Sequence, residues 1–298
     1  MKSISLIIGL LLYFSASSQP LSKTDSIPFS LTEFNNMSVE SVINSTDTVQ
    51  LMFHLANGGV SISNEAAEQL LSVHWDLTDS VDSWGGMNES QLSENNNLKI
   101  GSFEWDSLLL FSCMHSGRNT DGKFGPTLFG NKILEINFDN KIIVLHDQLP
   151  NTIDDYEKFT LKNQGDLLFI EGIIAVNQKR IRNHFLLHSG YSSSLLFDDE
   201  FAAKHQMSKN LPLLSESELL DSFGNVLKTK KSELQLLQIG SFHFDSIPAS
   251  FFEGAIGRQK MSVLGMDILK RFNLVLDIKS NMIYLQKNQL FSTPYLEG

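Results

Sequence analysis

Two histidines carry the chemistry this chain could perform. His54 closes the run Val49-Gln50-Leu51-Met52-Phe53, and His188 closes Phe185-Leu186-Leu187. Imidazole titrates near neutrality, so a histidine at the end of a buried strand can serve as base or acid. Two facing imidazoles can also ligate Zn²⁺, but a catalytic zinc normally takes a third protein ligand, and no Asp, Glu or Cys close to either histidine is an evident one. His184 and His188 have the spacing of helical metal ligands, yet Arg182-Asn183-His184-Phe185-Leu186-Leu187-His188 reads as strand. No His-Glu-x-x-His motif occurs, so the other histidines read as ordinary surface or core residues, and the favoured reading needs no metal or other cofactor.

An internal duplication predicts that His54 and His188 are brought together. Asp82-Ser83-Trp84-Gly85 corresponds to Asp221-Ser222-Phe223-Gly224, and at the same distance downstream Ile100-Gly101-Ser102-Phe103 corresponds to Ile239-Gly240-Ser241-Phe242. Each copy continues to an Asp-Ser pair, Asp106-Ser107 and Asp245-Ser246, without a gap. Upstream, Phe53-His54-Leu55-Ala56 matches Leu187-His188-Ser189-Gly190. Downstream, Leu128-Phe129-Gly130-Asn131 is set against Val263-Leu264-Gly265-Met266. Self-similarity at so long a period means two copies of a domain and not a solenoid of short repeats.

The elements needed to position these residues are mostly strands. Residues 49–54, 142–145, 167–176 and 181–188 are apolar runs bounded by turn formers. Asn163-Gln164-Gly165-Asp166 and Asn177-Gln178 read as hairpin turns, while Trp84-Gly85-Gly86 and Phe223-Gly224-Asn225 read as aromatic hairpin tips. Short helices are expected at 64–72 and 198–205, opened by the capping residues Asn64 and Asp198, with a further pair at 131–134 and 266–272. The Asn-rich stretch 88–97 reads as a mobile part of the first hairpin, and 148–157, with Pro150 and acidic residues, as a linker.

A buried strand ending in a short turn, an aromatic hairpin and an apolar-apolar-Gly segment, occurring twice, resembles the pepsin and retropepsin superfamily of aspartic proteases. The run Val263-Leu264-Gly265-Met266-Asp267-Ile268-Leu269-Lys270-Arg271-Phe272-Asn273, with Asp277 to Leu285 behind it, resembles the closing segment of bacterial retropepsin-like proteins. The resemblance implies a mostly β, bilobal fold whose β-barrel-like lobes are related by a pseudo-twofold axis. The expected organisation is a signal peptide over 1–18, one lobe over 19–150 and the other over 151–298. It also implies an interlobe cleft for an extended peptide, with Trp84, Gly85, Phe223, Gly224, Ser189 and Gly190 as substrate-binding residues.

The chain departs from the family at the catalytic turns, where Asp-Thr-Gly or Asp-Ser-Gly is the rule. His188-Ser189-Gly190 keeps the last two residues, and His54-Leu55-Ala56 keeps none. Two carboxyls work because adjacent like charges share one proton, giving one base and one acid. A pair of imidazoles cannot reproduce that. Asp47 precedes its strand, and Asp121 sits in a polar loop, so neither substitutes. Three readings stay open: relic histidines in a cleft that binds or packs, a peptidase using His54 and His188 or an unrecognised group, and a zinc site.

Lys2 followed by an apolar stretch at 4–14 and by Ala16-Ser17-Ser18 reads as a secretory leader with the mature chain beginning at Gln19. No later segment is long enough to span a bilayer. Cys113 is the sole cysteine, so no internal disulfide can form, which fits a secreted or periplasmic bacterial envelope protein. A formal net charge of −11, with no Lys/Arg run, argues against nucleic acid as a partner.

Overall fold

The computed structural model describes residues 26–83, 86–224, 226–252 and 259–296. The proposed leader, Trp84 and Gly85 lie outside the described residues. Two eight-stranded sheets have the same strand order. The first runs Ser30–Leu31, Met37–Ile43, Asp47–Phe53, Gly122–Phe124, Val60–Ser63, Phe103–Cys113, Gly86–Ile100, Leu77–Ser83. The second runs Lys162–Gln164, Leu167–Val176, Lys179–His188, Val263–Gly265, Leu195–Leu196, Phe242–Phe252, Val226–Ile239, Leu213–Leu220. In both, the second strand also pairs with the seventh, curling the sheet towards a barrel. A six-stranded sheet joins the lobes. Ile133–Asn137 of the first half pairs antiparallel with Phe272–Asp277 of the second.

The duplicated sequence blocks produce duplicated backbone. Gly101 and Gly240, which turn the matching hairpins, have φ of 58° and 56°, and Ser107 and Ser246 are also left-handed, at 56° and 51°. A left-handed serine is uncommon, so its recurrence at equivalent positions reflects a shared hairpin geometry. The strand interiors bury Leu98, Ile100, Leu110 and Phe124 in one lobe and Leu237, Ile239, Ile247 and Leu264 in the other. A continuous apolar core is the main stabilising element of each lobe.

Several local expectations are corrected. The helices at 64–72 and 198–205 shorten to Asn64–Ala67 and Asp199–Lys204. Asp198 caps the second as expected, accepting from Phe201 N, whereas the first is capped one residue before the expected Asn64, by Ser63, which accepts from Ala66 N. Residues 131–134 are not helical. Ile133 begins a strand of the joining sheet, and a helical turn, Pro126–Phe129, lies just upstream. In the other copy, the helix at 266–272 shortens to Met266–Leu269, and Phe272 starts the strand Phe272–Asp277. The Asn-rich stretch 88–97 lies inside the strand Gly86–Ile100. Its buried Asn96 and Ser90 are paired there: Asn96 accepts from Asn44 at 2.9 Å and donates to Ser93 O at 2.9 Å, and Ser90 donates to Ser112 O at 2.8 Å.

The register of the third duplicated segment also changes. Gly122–Phe124 pairs parallel with Leu51–Phe53 as Val263–Gly265 pairs with Leu186–His188. This aligns Lys123-Phe124-Gly125 with Val263-Leu264-Gly265, and not Leu128-Phe129-Gly130. The glycines explain why. A Cβ on Gly125 would lie 1.6 Å from Asn57 O, and one on Gly265 would lie 2.0 Å from Ser193 O. Gly130 has open space around it and a φ of 57°, so it serves only a turn.

Candidate functional site

The strands Asp47–Phe53 and Lys179–His188 end at the junction of the lobes and set His54 and His188 edge to face, with ring centroids 4.5 Å apart and an interplanar angle of 75°. Nδ1 of His54 accepts from Ala56 N at 3.1 Å, which puts the proton of the neutral ring on Nε2. Its ring lies against Gly190, where a Cβ would approach Cδ2 and Nε2 to 2.3 Å. Nδ1 of His188 is buried without a protein hydrogen-bond partner.

Ser189 fastens the two turns together. Its hydroxyl donates to Phe53 O at 3.0 Å and accepts from Leu55 N at 2.8 Å, and the residue is fully buried. Ser189 therefore holds the interlobe junction instead of lining the cleft as a substrate contact. Leu55, its counterpart, has no hydroxyl and is buried among apolar side chains, so this link is made from one side.

Sequence reasoning missed Lys123. It points into the same cavity as His54 and His188, a volume of about 570 Å³ that Ser61, Cys113, His115, Asp221, Ser222 and Phe223 also line. Its Nζ donates to Ser222 Oγ at 2.5 Å. Burial pushes the Lys123 pKa down, and nearby Asp221 pushes it back up. Placing Gly125 opposite Gly265 would have shown a lysine where the other copy has Val263, but the neighbouring Phe129-Gly130 offered a competing match.

The cluster fixes the charge state of the histidines. Burial, the other imidazole and the Lys123 ammonium hold His54 well below its ordinary pKa. Burial and Lys123 lower His188 to about 4. Both rings are neutral near pH 7. Cys113 is buried, its Sγ 3.5 Å from Ile62 O, and burial raises its pKa, so it is a thiol and not a nucleophilic thiolate. Among the described residues, no group of three His, Cys, Asp or Glu side chains could hold a metal ion.

The remaining expected contacts divide. Gly190 and Phe223 line the cavity. Gly224, at φ 81°, packs its backbone against Met114 Sδ and carries the hairpin tip across to the first lobe, where His115 N donates to Ser222 O at 3.0 Å. A second cavity of about 420 Å³ opens on the other side of His188, lined mainly by Leu167, Leu186, Leu196, Phe252, Met261 and Val263.

The fold is similar to that in the crystal structure of aspartic proteinase from Irpex lacteus, with a TM-score of 0.58 and 11% identity over 91% of this chain and 99% of that chain. No protein-family model matches the sequence. No curated protein matches it either. The chain has the bilobal aspartic-protease fold, and no helix among the described residues is long and apolar enough to cross a membrane.

Proposed function

We propose that this chain is a secreted or periplasmic protease-like protein that binds an extended peptide between its lobes and lacks the standard acid-protease chemistry. One observation carries the reading: the facing groups at the centre of the cleft are two neutral imidazoles beside an ammonium. The acid-protease pair is two carboxyls sharing one proton, and two neutral imidazoles hold neither a carboxylate nor an ionisable acid of that kind between them. Protonating one ring so that it can serve as an acid is opposed by burial and by Lys123. The cavities on either side of His188 have the size of side-chain pockets, and they supply binding surface without turnover.

The test uses the chain from Gln19 onward, incubated with a broad peptide library from pH 3 to pH 8 and followed by mass spectrometry, with binding of the same peptides measured by calorimetry. Binding without cleavage is expected. Pepstatin, whose hydroxyl is held between two carboxyls, should have no effect. Cleavage with an acidic optimum that pepstatin blocks would overturn the reading.

A further inference from the structure

The two cavities occupy equivalent places in the two lobes but differ in chemistry. In the second lobe, Val263 lies between Leu186 and Leu196 in strand register. In the first, Lys123 lies at the matching point between Met52 and Ser61. The valine-leucine pair of one cavity is thus a lysine-serine pair in the other. Among the described residues, no Lys, Arg, Asp or Glu lines the Val263 cavity, whereas Lys123 and Asp221 both line the other.

We propose that the Lys123 cavity is a subsite for a carboxylate of the bound peptide, and that Asp221 is the chain's own occupant of it. This deepens the peptide-binding reading and rests on it. A lysine lining a recessed, largely apolar cavity loses part of its hydration, which an acceptor must replace. Here Ser222 Oγ takes one of its donors, and the Asp221 charge lies close enough to favour the ammonium. Ser222 and Asp221 both belong to the hairpin tip, whose described residues make polar links to the first lobe from Lys123 Nζ to Ser222 Oγ and from His115 N to Ser222 O. The tip is thereby a displaceable cover. A peptide carboxylate that reaches Lys123 replaces Asp221 while a large apolar neighbour fills the Val263 cavity. The class of ligand is an extended peptide pairing a large apolar side chain with an acidic one on the far side of the histidines.

The probe is a set of acetylated, amidated hexapeptides with one Phe or Leu position and Glu or Gln scanned through the others, titrated against three proteins. The unmodified chain should bind the Glu member of the best pair more tightly than its Gln twin. Lys123→Met, which restores the apolar character of the Val263 position, should weaken binding of the Glu peptide by roughly tenfold or more and leave the Gln peptide nearly unchanged. Asp221→Asn, whose side-chain oxygen can still accept from Phe223 N, should bind the Glu peptide more tightly than the unmodified chain. Peptides that bind with no preference for Glu in any of the three proteins would overturn the subsite and leave peptide binding intact. Failure of every peptide to bind the unmodified chain would overturn both.

Discussion

The two turns that meet between the lobes do different jobs. The second, His188-Ser189-Gly190, supplies the hydroxyl that links the lobes and the bare glycine against which His54 packs. The first, His54-Leu55-Ala56, supplies an apolar anchor and receives that hydroxyl through Leu55 N and Phe53 O. Behind the turns, by contrast, Gly125 and Gly265 are the same residue for the same reason, since a backbone oxygen occupies the space of a Cβ at each. Backbone approach tolerates no substitution, whereas a side chain facing a cavity is free to change. This is why Lys123 can stand where Val263 stands while the glycines two residues further on stay fixed.

The most severe way to break this comparison is at those glycines. Gly125→Ala and Gly265→Ala should each prevent folding or cost more than about 4 kcal/mol, because the clash is with backbone. Gly130→Ala should cost only about 1 kcal/mol, from its left-handed φ. Urea unfolding of the three variants decides the register of the duplicated segment. If Gly130→Ala were the worst of them, the alignment with Gly265 would be wrong.

Acidification should produce the next largest effect. His188 takes up its proton near pH 4 in the folded chain but near 6.5 when unfolded, so the unfolded state binds more protons in between. Its contribution to stability is complete above about pH 6.5, falls as the pH drops, and levels off below about 4, a loss of about 3 kcal/mol. His54 shifts in the same direction and adds to it. Urea midpoints measured from pH 7.5 to 4 should therefore fall, and His188→Gln should flatten the curve relative to the unmodified chain. An unchanged slope in that variant would mean that His188 is not held neutral.

Removing the one-sided link should cost less. Ser189→Ala leaves Leu55 N and Phe53 O buried without this partner, and about 2 kcal/mol should be lost, read as a lower urea midpoint with unchanged slope. The smallest effect expected is none at all. Adding zinc or chelator should leave the melting temperature where it is, since a metal bound only to the folded state would raise it. One equivalent of zinc in the purified protein would replace the neutral-pair description with a metal site.

Much of the architecture was legible before any coordinates. Asp82-Ser83 with Ile100-Gly101-Ser102-Phe103, repeated at Asp221-Ser222 and Ile239-Gly240-Ser241-Phe242, signalled two lobes because hairpin geometry needs glycine and polar residues at set positions. The meeting of His54 and His188 followed from their places at the ends of equivalent strands. The polarity of the Asn-rich strand suggests solvent, but its inward-facing Asn96 and Ser90 are satisfied within the lobe by Asn44, Ser93 and Ser112. The helix expected at 266–272 stops short because Phe272 pairs as a strand, and the one at 64–72 because Leu71 N and Ser72 N donate to the Asp47 carboxylate instead of continuing the helix.

The sequence by itself determined the duplicated, mostly β chain and that a histidine, not an acidic side chain, closes each of the two equivalent strands. Periodicity and repetition are properties of the order of residues, and an aspartate that is not there cannot be restored by folding. Only the tertiary structure decided that Ser189 is a link between lobes, that Lys123 and Asp221 share a cavity with the histidines, and that both imidazoles are neutral. Those facts depend on distances between residues far apart in the chain and on the water that burial removes around them, and neither is written in local sequence.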